Sequence, residues 1–114
     1  MSQELWSNVD NYLAGVVVRQ DAALANAVQA SDAAGLPAIQ VSPPLGKLLH
    51  ILARSIGARR ILEVGTLGGY STIWLARALP ADGALITLEY SPQHAAVARE
   101  NLRMAKVDRM VELI

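Results

Sequence analysis

Arg60-Ile-Leu-Glu-Val64, running straight into Gly65-Thr-Leu-Gly68-Gly69-Tyr-Ser71, is the stretch on which the architecture turns. Its first half is a short apolar strand candidate, and glycines follow at once. Ser71 to Leu79 then places apolar residues at helical period and stops at Pro80. Ala81-Asp82-Gly83 reads as a turn, and Ala84 to Glu89 as a second apolar strand. Ser91-Pro92 opens a helix running to about Ala105, and Met110 to Ile114 reads as a third strand. Strand, helix, strand, helix, strand is the repeating unit of a parallel sheet. The apolar positions of the first two strands are consecutive rather than alternating, which predicts helices over both faces.

Upstream the pattern is helical. Leu5, Val9, Leu13, Val16 and Val17 predict an amphipathic helix over roughly the first 18 residues. Asp21 is placed to cap a second helix carrying Leu24, Ala27 and Val28 and ending near Gly35. Leu36-Pro37 to Val41 reads as extended, since residues before proline avoid helical angles. Ser42-Pro43 opens a third helix, through Leu45, Leu48, Leu49, Leu52 and Ile56, which Gly57 stops. The chain thus divides into a helical region, 1–57, and a β-α-β-α-β unit, 58–114, within one α/β domain.

Composition bounds the function. At 114 residues, 53% apolar and 18% charged, the chain can bury one core and is not disordered. Ten basic and ten acidic residues cancel, so no global field attracts nucleic acid or anionic membrane. There is no cysteine, hence no disulfide, thiolate nucleophile or cysteine metal site. The N-terminus lacks the apolar core of a signal peptide, and Gly15-Val-Val-Val18 is too short to span a bilayer. A soluble cytoplasmic protein is expected.

Glycines at 65, 68 and 69 let backbone approach a ligand and allow positive φ where strand becomes helix. A helix beginning near Tyr70 would turn free N–H groups toward that space. A dinucleotide fingerprint requires G-x-G-x-x-G, and here Leu67 occupies the second glycine position. Its side chain would crowd a pyrophosphate. Glu63 would repel a pyrophosphate and attract an ammonium. S-adenosylmethionine carries an amino acid end and a sulfonium and no phosphate, so it fits better. Glu89 closes the second strand, 24 positions after Gly65, where a carboxylate can accept from both hydroxyls of a ribose. Each residue also has a plain structural reading: a tight connection for the glycines, a backbone-bonded acid at 63, a solvated one at 89, a helix cap at Ser71. Their order within one unit favours the ligand.

ILEVGTLGGYSTIWLARALP followed by LITLEYSP resembles the metal-dependent catechol and caffeoyl-CoA type O-methyltransferases, particularly bacterial members. QVSPPLGKLLHILARSIGARRILEVG and LWSNVDNYL match the family's approach to the first strand and its leading helix, so the likeness covers essentially the whole chain. It implies a Rossmann-like class I methyltransferase fold with N-terminal helices, here truncated after the third strand. It implies S-adenosylmethionine as cofactor and methyl transfer to a hydroxyl of a small aromatic acceptor. By position, Val41 would touch the methionine portion through its backbone, and Glu63 would lie near the amino group. Gly65 and Thr66 would line the loop, Ser71 would bond the carboxylate, Glu89 would hold the ribose, and Tyr90 would border the adenine. Pro44 and Lys47 depart from residues common in the family. The family's divalent metal (Mg-like) and its ligands, and the lysine that helps deprotonate the acceptor, belong to later segments. No catalytic or metal-ligating residue is therefore assigned, and the chain is expected not to transfer methyl groups alone. The resemblance implies the strand order 3-2-1-4, so without a fourth strand Ile61, Leu62 and Val64 would sit on an unpaired apolar edge, which predicts a homo-oligomer, such as a homodimer. Two alternatives remain: a non-catalytic cofactor-binding or self-assembling fragment, and an NAD-dependent oxidoreductase.

Other residues are expected to be structural. His50 is placed on a polar helix face and His94 in solvent. Trp74 belongs to the core, and Trp6 and Tyr12 pack the first helix against a neighbour. Arg59-Arg60 is a solvated lead-in.

Overall fold

Three strands pair in parallel in the order β1-β2-β3 in the computed structural model, which describes residues 2–114. They are β1 (Arg60–Val64), β2 (Ala84–Leu88) and β3 (Val111–Leu113). Helices α1 (Gln3–Val17), α2 (Ala22–Ala33) and α3 (Pro43–Ser55) precede the sheet, while α4 (Tyr70–Ala76) and α5 (Pro92–Met104) are its crossovers. A single 3-10 turn, Asp108–Met110, delivers the chain to β3. The parallel sheet is the one expected from the strand-helix alternation, and the arrangement is the Rossmann-like one that the family resemblance implies.

Helix starts follow the side chains that supply missing acceptors. Asp21 Oδ1 accepts the Leu24 N–H at 3.1 Å, and Ser91 Oγ accepts the His94 N–H at 3.3 Å. Pro43 opens α3, although Ser42 makes no side-chain cap. Gly35 and Gly57, which close the helical segments before them, have φ of 76° and 63°.

The core lies between the sheet and one helical layer. Ile61, Leu85 and Val111 share a register row on the helix side, packed with Leu24, Ile73, Trp74 and Leu102. α4 packs on β2, α5 on β3, and α2 lies across both helices. The opposite side differs from expectation. Leu62 and Val64 are 67% and 78% exposed and Ile86 is 38% exposed, so helices cover one face and not both. Consecutive apolar residues imply two-sided burial, but both crossovers here pass over the same side. Only a reversal of strand order would bring a helix to the other.

Smaller corrections follow the same logic. Residues 36–41 bend rather than extend, with Leu36 buried and the Ile39 N–H turned back to the Pro37 carbonyl at 2.9 Å. Trp6 and Tyr12 are exposed, and α1 buries none of its residues. His50 is half-buried, bonded through Nδ1 to the Trp74 carbonyl at 2.9 Å, because its position on α3 faces α4 rather than water. Trp74 is in the core as expected, and Arg59 is exposed in an ion pair with Asp82.

Candidate functional site: a cleft between the glycine turn and the end of strand β2

The turn leaving β1 is fastened to β2 by backbone. The Gly65 N–H donates to the Leu88 carbonyl at 2.8 Å, which sets the glycine turn beside Glu89. Gly65 and Gly69 have φ of 91° and 87°, the left-handed region in which a Cβ is costly. Leu67 also lies there, at φ 53°. Gly68 serves by closeness, since a Cβ on it would collide with Ser31 Oγ of α2. Buried Asn101 of α5 donates to the Gly68 carbonyl at 2.8 Å, holding the turn from behind.

A cleft of about 300 Å³ opens above this turn. Its wall includes Val41, Gly65, Thr66, Leu67, Ser71, Glu89 and His94, with Val28 and Ser31 contributed by α2. Among the described residues, no lysine or arginine lines it.

Glu89 is held by backbone donors. Its Oε1 accepts the Leu67 N–H at 2.7 Å and its Oε2 the Ser91 N–H at 3.0 Å. Burial pushes its carboxyl up, but the Ser91 and Leu67 N–H groups, with nearby His94 and the Thr66 N–H, outweigh burial and hold it below its ordinary value. Each carboxylate oxygen retains a second lone pair, enough for two vicinal hydroxyls.

Glu63 is held by hydroxyls. Its Oε1 accepts from Thr72 and from Thr87, the latter at 2.8 Å, while its Oε2 accepts from Ser71 at 2.7 Å. Thr87 and Thr66 are bonded to each other at 2.6 Å. Thr66, Thr72 and Thr87 are all buried, whereas Glu63 and Ser71 are half-buried.

The structure thus gathers Val41, Gly65, Thr66, Ser71 and Glu89 on one cleft and sets Glu63 directly behind Ser71. Tyr90 is not among the lining residues, and its side chain is fully exposed. Sequence reasoning missed His94. It is not in solvent: its side chain is 24% exposed, and Nδ1 stands 3.6 Å from Glu89 Oε2. Its position three residues after the Ser91 cap, in the first turn beyond an acid-ending strand, was the available signal. Thr72, Thr87 and Asn101 were missed as well, since single polar residues in apolar runs give no pattern. Among the described residues, no three His, Asp or Glu side chains converge to hold a metal ion.

A parallel unit with a glycine turn after its first strand and an acid closing its second is a Rossmann-like α/β unit. Residues 15–114 match the family described as O-methyltransferase, and the chain belongs to that family. It is 49% identical over 113 residues to the catechol O-methyltransferase of Niastella koreensis, covering 99% of this chain and 51% of that protein. It is 55% identical over 107 residues to the catechol O-methyltransferase of Mycobacterium tuberculosis, covering 94% and 49%. The O-methyltransferase from Bacillus cereus in complex with SAH superposes with a TM-score of 0.93 at 49% identity, covering 97% of this chain and 50% of that one. The chain spans about half the length of the relatives it matches. These matches do not favour the nicotinamide alternative.

Proposed function

We propose that this chain is the cofactor-binding half of an S-adenosylmethionine-dependent O-methyltransferase that methylates a hydroxyl of a small aromatic acceptor. The observation that carries the reading is Glu89, fixed by two backbone N–H groups on a cleft that no lysine or arginine lines. A diphosphate at the glycine turn would meet Leu67 and nearby Glu63 with no compensating cation, whereas a ribose diol meets two free lone pairs on Glu89. In this reading Glu89 holds the ribose, and the open ring of Tyr90 borders the adenine. Gly65 and Thr66 line the turn, the Val41 backbone touches the methionine portion, and Ser71 meets its carboxylate. Glu63, behind Ser71, attends the ammonium.

In this reading the arrangement binds and orients the cofactor. The divalent metal belongs to the proposal for the whole enzyme, and its ligands are not assigned to this chain. A thermal shift comparing SAH with NAD tests the cofactor reading: SAH at one hundred times its Kd should add about 2.7 kcal/mol, and NAD nothing. An unchanged melting temperature with SAH at millimolar concentration sinks it.

Self-association is part of the same proposal. Strand β1 is an edge carrying exposed Leu62 and Val64, which a second copy would cover. Light scattering that found only monomer at high concentration would refute it. No described helix is long and apolar enough to cross a membrane. The proposal places the protein in the cytoplasm, acting on a small molecule.

A further inference from the structure

The two oxygens of Glu63 are held differently. Oε1 accepts from Thr72 and Thr87, both wholly buried, with no route for their hydroxyls to reach a ligand. Among the described residues Oε2 accepts from Ser71 alone, and Ser71 lines the cleft. One oxygen is anchored in the interior; the other is tied to a residue that a ligand can touch.

We infer that the Ser71–Glu63 hydrogen bond is a placeholder for a zwitterionic amino acid group, and that Thr72 and Thr87 are positioning residues that keep Glu63 aimed while the exchange occurs. The inference rests on the cofactor reading above. When the amino acid end enters, the Ser71 hydroxyl turns its proton to the ligand's carboxylate. Oε2 is thereby released to accept from the α-ammonium. The one broken bond, hydroxyl to carboxylate, is replaced by two charge-assisted ones, from Ser71 to the ligand's carboxylate and from the ammonium to Oε2. No proton leaves any group; one hydroxyl rotates.

The anchoring threonines make this selective. A carboxylate that lost both buried donors would be free to swing, and binding would have to immobilise it. Thr66, bonded to Thr87 at 2.6 Å, fixes which way the Thr87 hydroxyl points and links the anchor to the glycine turn.

The test is calorimetry of the chain with two ligands sharing an adenosyl thioether. SAH carries the amino acid end, and 5′-methylthioadenosine does not. In Thr87→Val and Thr72→Val, SAH affinity should fall about tenfold, while methylthioadenosine affinity stays within about twofold. Thr87→Ser, which keeps the hydroxyl, should bind both ligands as the unmodified chain does. Circular dichroism checks folding, and Thr72→Val carries the test should Thr87→Val fail to fold. Folded valine variants that keep full SAH affinity, or that lose both ligands equally, overturn the inference. An unmodified chain that binds neither ligand overturns the cofactor reading, and the inference with it. Binding by the unmodified chain with no selectivity in the variants overturns the inference alone.

Discussion

The backbone N–H of Leu67 and the carboxylate of Glu89 are joined at 2.7 Å, so the turn leaving β1 is tied to the end of β2 by one side chain. That side chain also accepts from Ser91 on its other oxygen, at 3.0 Å. A glutamine has one acceptor oxygen, and its amide would point a donor at a donor. Glu89→Gln should therefore cost roughly 1–3 kcal/mol in urea unfolding and weaken SAH binding. A variant as stable as the parent would show that the two N–H bonds contribute little.

The same carboxyl sets a pH dependence. Its folded value lies below the ordinary 4.5 despite burial, because the N–H donors favour the charged form. Stability from Glu89 is then complete above pH 4.5 and lost as pH falls through the lowered value. Stability measured against pH should fall less steeply in this acid range for Glu89→Gln. Identical acid limbs in parent and variant would assign that loss to other carboxyls.

Gly68 is required by contact, not conformation. A methyl there meets Ser31 Oγ, so Gly68→Ala should cost about 1–3 kcal/mol as overpacking. Combining it with Ser31→Gly should recover part of the loss. A double-mutant cycle with no coupling between the two would mean that the helix simply moves aside.

Leu67 stands at φ 53°, where an L side chain is strained by about 1–2 kcal/mol. Leu67→Gly should leave melting temperature unchanged or raised, while β-branched Leu67→Val should lower it. The reverse order would indicate that the leucine side chain stabilises the turn by more than its strain.

Asp21 caps α2 and pairs with Arg77 at 2.8 Å. Asp21→Ala should cost about 1 kcal/mol, mostly the cap. Asp21→Asn, which keeps the cap and loses the charge, should cost only a few tenths, because the pair is largely exposed. Equal losses in the two variants would transfer the effect to the ion pair.

The strand-helix alternation, the glycine turn and both acids were legible in the sequence, because each has a local signature: a period, a breaker, a charge at a strand end. Asp21, Ser91 and Gly57 marked helix ends for the same reason. What escaped depends on three-dimensional company. Leu62, Val64 and Ile86 look as apolar as Ile61 and Leu85, and only the side taken by the crossovers decides which are covered. His94 looked like a surface residue until the first turn of α5 brought it to Glu89. Thr72 and Thr87 were silent because a threonine inside an apolar run carries no sign of the carboxylate it serves.

Among the described residues β2 alone is flanked by a strand on each side, and its Leu85 and Thr87 are wholly buried. β1 or β3 can peel from the sheet by giving up one ladder; β2 must surrender two. Amide hydrogens of β2 should accordingly be the slowest in the chain to exchange with solvent deuterium, fading only with global unfolding. Glu89, the residue immediately after β2, would then keep its place through partial openings that fray the strands on either side.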